Sequence, residues 1–467
     1  MASRTPTSSR RTFLKGIAAA PVAAMPFTTH PDGALAQTLF ADAQLRGSMT
    51  ATDHGMVAGA IDDQSRQFQK ILDEAAAAHK PVFLPPGNYF VSNINLPANT
   101  RLMGVPGASR LVYTGGGHFL ISENGRHVEL TGVVIDGANR GLNAYAEAAL
   151  RISNCEHMAV NNCQITGSLE QGLQASRSKG RIEGSTISGA MGDCGVYALE
   201  NGGLTIRDNE VEGCSNGGIL VHRWAEGEDG SIVTGNRIRN IGAANGGTGQ
   251  WGNGINIFRA HSVMIANNQV SDCAFSAIRS NAGNNVQIAS NHCLRSGETA
   301  IYSEFGFNGA MISGNVVDGA ARGVAIANFM QGGRMAVCAN NLIRNIHLDA
   351  PYKDDDHFFG IGISAEADTT ITGNVVEGAQ GFGLLLGWGP YLRDVIATSN
   401  VIRQSPTGVY VSVVEGAGNT VISDNVIAGA SKGAIVGYRW HEAATGDMGG
   451  GETGGYDHLA IERNRIS

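Results

Sequence analysis

Residues 263–291 read VMIANNQVSDCAFSAIRSNAGNNVQIASN. The stretch opens on Val263-Met-Ile-Ala-Asn-Asn268-Gln-Val270 and closes on Val286-Gln-Ile-Ala-Ser-Asn291. Both ends are written apolar-x-apolar-x-x-Asn, and between them lies a short run, Ala277-Ile-Arg-Ser-Asn281, that also alternates. The same frame returns at Leu204-Thr-Ile-Arg-Asp-Asn209, Met311-Ile-Ser-Gly-Asn315, Thr370-Ile-Thr-Gly-Asn374 and Val421-Ile-Ser-Asp-Asn425. Alternation puts one row of side chains inside and the next outside a strand. A shortest period of 22 residues, from Cys163 to Ser185, stretching to 39 from Asn425 to Asn464, marks a solenoid with loops on one side.

Outward from that stretch, the Asn slot is filled by Asn209, Asn236, Asn268, Asn291, Asn315, Asn340, Asn374, Asn400, Asn425 and Asn464. Val133, Cys163 and Ser185 hold it earlier. An Asn stacked on an Asn bonds the backbone and its neighbour, which makes a buried amide tolerable; this row is read as structural. A Gly opening the next strand is read as a positive-φ turn. The fold class expected is all-β: a right-handed parallel β-helix of about 12–13 coils.

Composition agrees. In 467 residues there are 65 Gly, 6% aromatics and 16% charged residues, which suits thin, turn-rich coils rather than a large globular core. A net charge of -8 argues against a nucleic-acid partner. The seven Cys, all between Cys155 and Cys338, contain no CxxC pair and read as buried free thiols.

The N-terminus carries Ser9-Arg10-Arg11-Thr12-Phe13-Leu14-Lys15, a modest apolar run from Gly16 to Phe27, and Ala34-Leu35-Ala36. This is the pattern of a twin-arginine signal peptide, residues 1–36, cut before Gln37. It implies the twin-arginine translocase as a partner during export, a periplasmic or secreted destination, and no membrane span after cleavage. Residues 37–80 form an N-terminal segment with a capping helix. Within it, 62–79 places Phe68, Ile71, Leu72 and Ala75 on one face, with Asp62 or Asp63 as N-cap. Residues 81–467 are the β-helix.

The lead-in Val82-Phe-Leu-Pro-Pro-Gly-Asn-Tyr89, followed by Ile94-Asn-Leu-Pro97 and Leu102-Met-Gly104, resembles the pectate-lyase-like right-handed β-helix superfamily. With the signal peptide, the chain also looks like a family of twin-arginine-translocated repeat proteins. The resemblance spans roughly residues 60–467. It implies that the outer face of the strand after the variable turn lines a polysaccharide cleft.

Two outward columns follow from alternation on that strand. One reads Gln174, Tyr197, Leu220, Asn256, Arg279, Tyr302, Ala325, Gly362, Leu385, Tyr410. The other reads Ser176, Leu199, His222, Phe258, Asn281, Glu304, Ala327, Ser364, Gly387, Ser412. Polar groups concentrate in the middle. Candidate catalytic residues are Arg279, to neutralise a uronate carboxylate, Tyr302 or His222 as proton carriers, and Glu304. Candidate substrate-binding residues are Asn256, Asn281, Tyr197, Arg223, Trp224, Trp251 and Arg259, several of them on the lengthened turns 222–229 and 242–253. A hydrolase needs two carboxylates; only Glu304 falls in the central columns, with Glu200 and Glu366 farther along, so β-elimination or C5-epimerisation on an acidic polysaccharide is preferred. A non-catalytic glycan-binding or structural envelope protein is the alternative, with Arg279 and Glu304 simply paired. No metal ligand set or cofactor is assigned: the Asp-rich calcium arrangement of pectate lyases is not found, although calcium itself stays open. Asp354-Asp355-Asp356-His357 reads as a solvated loop, and 441–457 as a flexible insertion.

Overall fold

The computed structural model describes residues 47–327, 332–353 and 358–467. The signal peptide expected at residues 1–36 and the Asp354–His357 run lie outside them. Three long sheets form the described chain. Sheet 1 contains the strands Gln171–Ser176, Cys194–Leu199, Gly217–Glu228 and Asn253–His261, sheet 2 strands such as Gly180–Glu183 and Leu204–Arg207, and sheet 3 strands such as Thr186–Ser188 and Glu210–Glu212. They hold 15, 16 and 15 strands, and except at the two ends each strand pairs with the strand three positions away in the chain. This is the right-handed parallel β-helix expected. It is longer than 12–13 coils because the lead-in 82–131, irregular to the eye, already winds full coils from Val82–Leu84 and Gly87–Val91 onward.

Inward residues stack coil on coil. Ile219, Ile255, Ile278 and Ile301 sit in register and are fully buried. The seven Cys are free and buried, six of them in the same interior and Cys194 beside the outward Tyr197 and Leu220. Between sheets 2 and 3 runs the amide ladder. Asn268 donates its backbone N–H and its Nδ2 to Asn291 Oδ1, each at 3.0 Å, and Asn291 repeats this toward Asn315. The rung after Asn315 is Asn341, not Asn340. Asn340 has φ +58° and takes the left-handed place that Asp208, Asn267 and Ser290 hold before their rungs. Of two adjacent Asn, the second is the one that turns inward.

Most glycines opening the sheet 1 strands are there for proximity rather than for left-handed turns, Gly433 (φ +135°) being an exception. Gly218 has an ordinary φ, but a Cβ on it would lie 2.3 Å from the carbonyl oxygen of Gly254 in the next coil.

A helix covers the first coil. The helix spans Ser65–Ala77, shorter than the expected 62–79, and buries Phe68, Ile71, Leu72 and Ala75. Asp63 accepts from the Ser65 N–H at 2.9 Å. Gln69 satisfies the open edge of the first sheet 1 strand, accepting from Asn95 N and donating to Asn95 O, both at 2.8 Å. At the far end the chain is ordered, contrary to the flexible insertion expected for 441–457. Glu442–Asp447 pairs antiparallel with Gly433–Arg439 and finishes sheet 1. Asp447 holds that return by accepting from Ala434 N and Ile435 N.

Candidate functional site

Strand register fixes which outward side chains of sheet 1 are neighbours. Tyr197, Leu220, Asn256, Arg279, Tyr302 and Ala325 follow one another in one column, and Leu199, His222, Phe258, Asn281, Glu304 and Ala327 in the other. Beyond that, Ala325 pairs with Ser364 rather than Gly362. The insertion 346–359 ends in a turn at Gly360 (φ +77°), so the strand begins two residues later than its glycine suggested. The shift carries Glu366, expected to be remote, into line with Ala327.

A recess of about 380 Å³ gathers His222, Trp224, Trp251, Asn256, Arg279 and Asn281 with Phe258 and Phe305. Its wall is aromatic. The Tyr197, His222 and Phe258 rings contact in succession at 5.4 and 5.6 Å, and Trp224 meets Phe258 edge-on at 6.3 Å. Trp224 is 62% exposed at the rim. Its strand does not turn away after His222, as expected, but continues to Glu228. Arg223 ties this extension down through Glu200 at 3.2 Å, and Arg259 donates to the Trp224 carbonyl at 3.1 Å while lying over the Phe258 ring. Arg223 and Arg259 thus position the rim. Phe305 was not foreseen. It is 42% exposed with φ +62°, a strained place for a bulky side chain, and nothing in the spacing of the sequence signals it.

Arg279 is 9% exposed and its charge is met. Nε and Nη2 reach the two oxygens of Glu304 at 2.6 and 3.0 Å, and Nη1 lies 3.5 Å from Glu298. Asn281 donates to Glu304 at 3.0 Å, Tyr352 to Glu298 at 2.7 Å, and the guanidinium sits 4.8 Å over the Tyr302 ring. The loop 242–253 covers this cluster: Gly249 presses its backbone onto the guanidinium so closely that a Cβ there would overlap Nη1. Burial pulls against the charge of Arg279, but Glu304 outweighs it and raises its pKa; burial raises that of Glu304, against the pull of Arg279. Burial also drives the Tyr302 phenol well above its ordinary range and lowers the His222 imidazole to about 4. His222 is therefore neutral at pH 7, sharing a hydrogen bond with Asn256 at 3.1 Å. Glu298 and Tyr352 escaped the sequence reading because they lie on turns, outside the alternating frame.

Tyr302 faces the other way, into a much smaller recess of about 40 Å³ with Arg322, Ser364, Glu366, Phe358 and Trp388. The structure thus brings His222, Asn256, Arg279, Asn281, Trp224 and Trp251 together and sets the Arg279–Tyr302 layer between two recesses. Among the described residues no cluster of three His, Cys, Asp or Glu could by itself hold a metal ion.

A family model described as a right handed beta helix region matches residues 110–228 and 178–345. No curated protein matches the chain. Among solved structures it is similar to the pre-mature gene product 12 of bacteriophage phi29, at 16% identity over 83% of this chain and 54% of that one, with a TM-score of 0.50. The chain spans about half the length of that protein. It is also similar to the A-module of a mannuronan C-5 epimerase from Azotobacter vinelandii (14% identity, 84% of this chain, 100% of that one, TM-score 0.40). A third likeness is to the catalytic unit of an alpha-1,3-glucanase from Streptomyces thermodiastaticus (15%, 90%, 69%, 0.41). At such identities the likeness is one of fold.

Proposed function

The chain belongs to the right-handed β-helix family, and from that premise we infer a polysaccharide-binding protein whose glycan lies on sheet 1 beneath Trp224 and Trp251. One observation carries this: a single recess combines aromatic faces with the amides of Asn256 and Asn281 and a neutral His222. Apolar sugar faces stack on rings while a few fixed polar groups orient the hydroxyls. The same geometry favours recognition over proton abstraction. An efficient base has a pKa near the working pH, and His222 lies far below it and Tyr302 far above. Arg279 meets Glu304 and Glu298 already, so a uronate carboxylate would compete for an occupied partner.

The test is affinity electrophoresis of the purified chain against a panel of neutral and acidic polysaccharides, run beside absorbance at 235 nm. We expect retardation by at least one polysaccharide, weakened about tenfold or more in Trp251→Ala, the loss of roughly one buried aromatic contact, and no absorbance change. A rise at 235 nm abolished by Tyr302→Phe would instead establish elimination on a uronate, and retardation unaltered by Trp251→Ala would remove the glycan from this recess.

We also infer export by the twin-arginine route, supported by Ser9–Lys15 and Ala34–Ala36. Among the described residues no helix is long and apolar enough to cross a membrane.

A further inference from the structure

Glu147, Glu170 and Asp193 each stand one residue ahead of a sheet 1 strand, respectively Ala148–Ser153, Gln171–Ser176 and Cys194–Leu199. Ala148 pairs with Gln171, and Leu173 with Val196, so the three acids hold the same turn position on consecutive coils. Coil spacing is about 4.8 Å. Like charges stacked at that distance repel. Elsewhere the solenoid answers turn carboxylates with arginine: Asp272 with Arg295, Asp318 with Arg344, Asp368 with Arg393, Asp424 with Arg463. Among the described residues no Lys or Arg pairs with Glu147, Glu170 or Asp193. Arg151, in register beside Gln174, turns to Glu123 instead.

A second observation points to what neutralises them. Gln174 and Gln171 are 2% and 8% exposed. Gln174 gives its amide nitrogen to Glu147 at 2.8 Å and Gln171 gives its own to Asp193 at 3.3 Å. Their Oε1 atoms, and Oδ1 of Asp193, are buried with no hydrogen-bond donor among the described residues. Buried oxygens lacking a donor, set beside uncompensated carboxylates, describe the shell of a hard cation. The backbone makes room for it: a Cβ on Gly192 would come within 2.9 Å of Glu170 Oε2, so glycine lets that carboxylate lie beside Asp193.

We propose that Glu170, Asp193, Gln171 and Gln174, with Glu147 at the rim, form a calcium site at the head of the sheet 1 groove. The carboxylates alone do not close around an ion; the two amide oxygens complete the set. All donors are oxygens from side chains on three separate coils, which suits the larger, irregular shell of Ca2+ better than the strict octahedron of Mg2+. The site is independent of the glycan assignment and binds with no sugar present.

The experiment is isothermal titration calorimetry of the chelator-treated full chain with CaCl2, paralleled by thermal unfolding in CaCl2, MgCl2 and ionic-strength-matched NaCl. The expected result is saturable Ca2+ binding near one equivalent and a Tm raised by Ca2+ well beyond the other salts. Asp193→Asn and the milder Gln174→Met should each weaken binding tenfold or more, whereas Asp318→Asn, at an arginine-paired turn, leaves it unchanged. No heat with Ca2+, or equal Tm shifts in all three salts, overturns the site, the latter because it reports screening of stacked charge.

Discussion

Arg279 and Glu304 are buried together, and their energetics belong to the pair. Removing one partner of such a pair strands a charge and costs about 3–5 kcal/mol, while replacing both with apolar groups of similar size is far milder. We expect Glu304→Leu to destabilise the fold by that amount and the double variant Arg279→Met/Glu304→Leu to recover most of it, read as urea midpoints in a double-mutant cycle. Additive losses would mean that the bidentate contact at 2.6 and 3.0 Å contributes little. His222 gives the pH dependence. In the unfolded chain its pKa is about 6.5, and in the fold burial holds it at about 4. Its stabilising contribution is complete above pH 6.5. As pH falls toward 4 the unfolded state takes up a proton that the folded state refuses, and up to about 3 kcal/mol is lost. Tm measured between pH 7 and 4 should fall more steeply for the native chain than for His222→Gln. Parallel curves would show that the imidazole is solvated. The pairing of Arg279 with Glu304 was legible in sequence as adjacent columns; the second carboxylate, Glu298, and the lid at Gly249 were not, because both come from turns with no period to read.

At the scale of the element, the repeating unit is a turn held by one inward amide. Asn341 accepts from Asn315 and donates to Ile312 O and to Asn374, while Asn340 beside it supplies a left-handed φ. Truncating Asn341 leaves several buried groups without partners, each costing about 1–3 kcal/mol. Asn341→Ala should therefore cost at least about 3 kcal/mol, and Asn340→Gly should stay within about 1 kcal/mol, since glycine accepts positive φ freely. Chemical denaturation of the two variants checks this, and equal losses would contradict the assignment of the rung. The strands themselves were readable from alternation. The Gly360 misreading shows where alternation fails: a long insertion erases the count, and a turn glycine looks the same in sequence as a strand glycine that admits a neighbouring coil.

For the whole molecule, a solenoid is only as sound as its two ends, because each coil contacts only its neighbours. The helix Ser65–Ala77 covers one end, and at the other sheet 1 finishes on the antiparallel strand Glu442–Asp447. Export belongs to this scale too. Changing Arg10 and Arg11 to Lys should hold the full-length precursor in the cytoplasm of a bacterial host, where cell fractionation and immunoblotting would find it. Normal export of that variant would refute the twin-arginine assignment.

By itself the sequence determined the parallel β-helix, the buried free thiols, the face of the capping helix and the column order through Tyr302, because each depends on local period and burial, which a chain writes along its length. The tertiary structure alone decided that Arg279 lies under a loop and between two carboxylates, that Glu366 joins the groove, that the far end folds back as a strand, and that Glu147, Glu170 and Asp193 stack with no Lys or Arg partner among the described residues. Those are contacts between turns of unequal length. Their partners are set by how coils pile up in space, and no spacing along the chain encodes that.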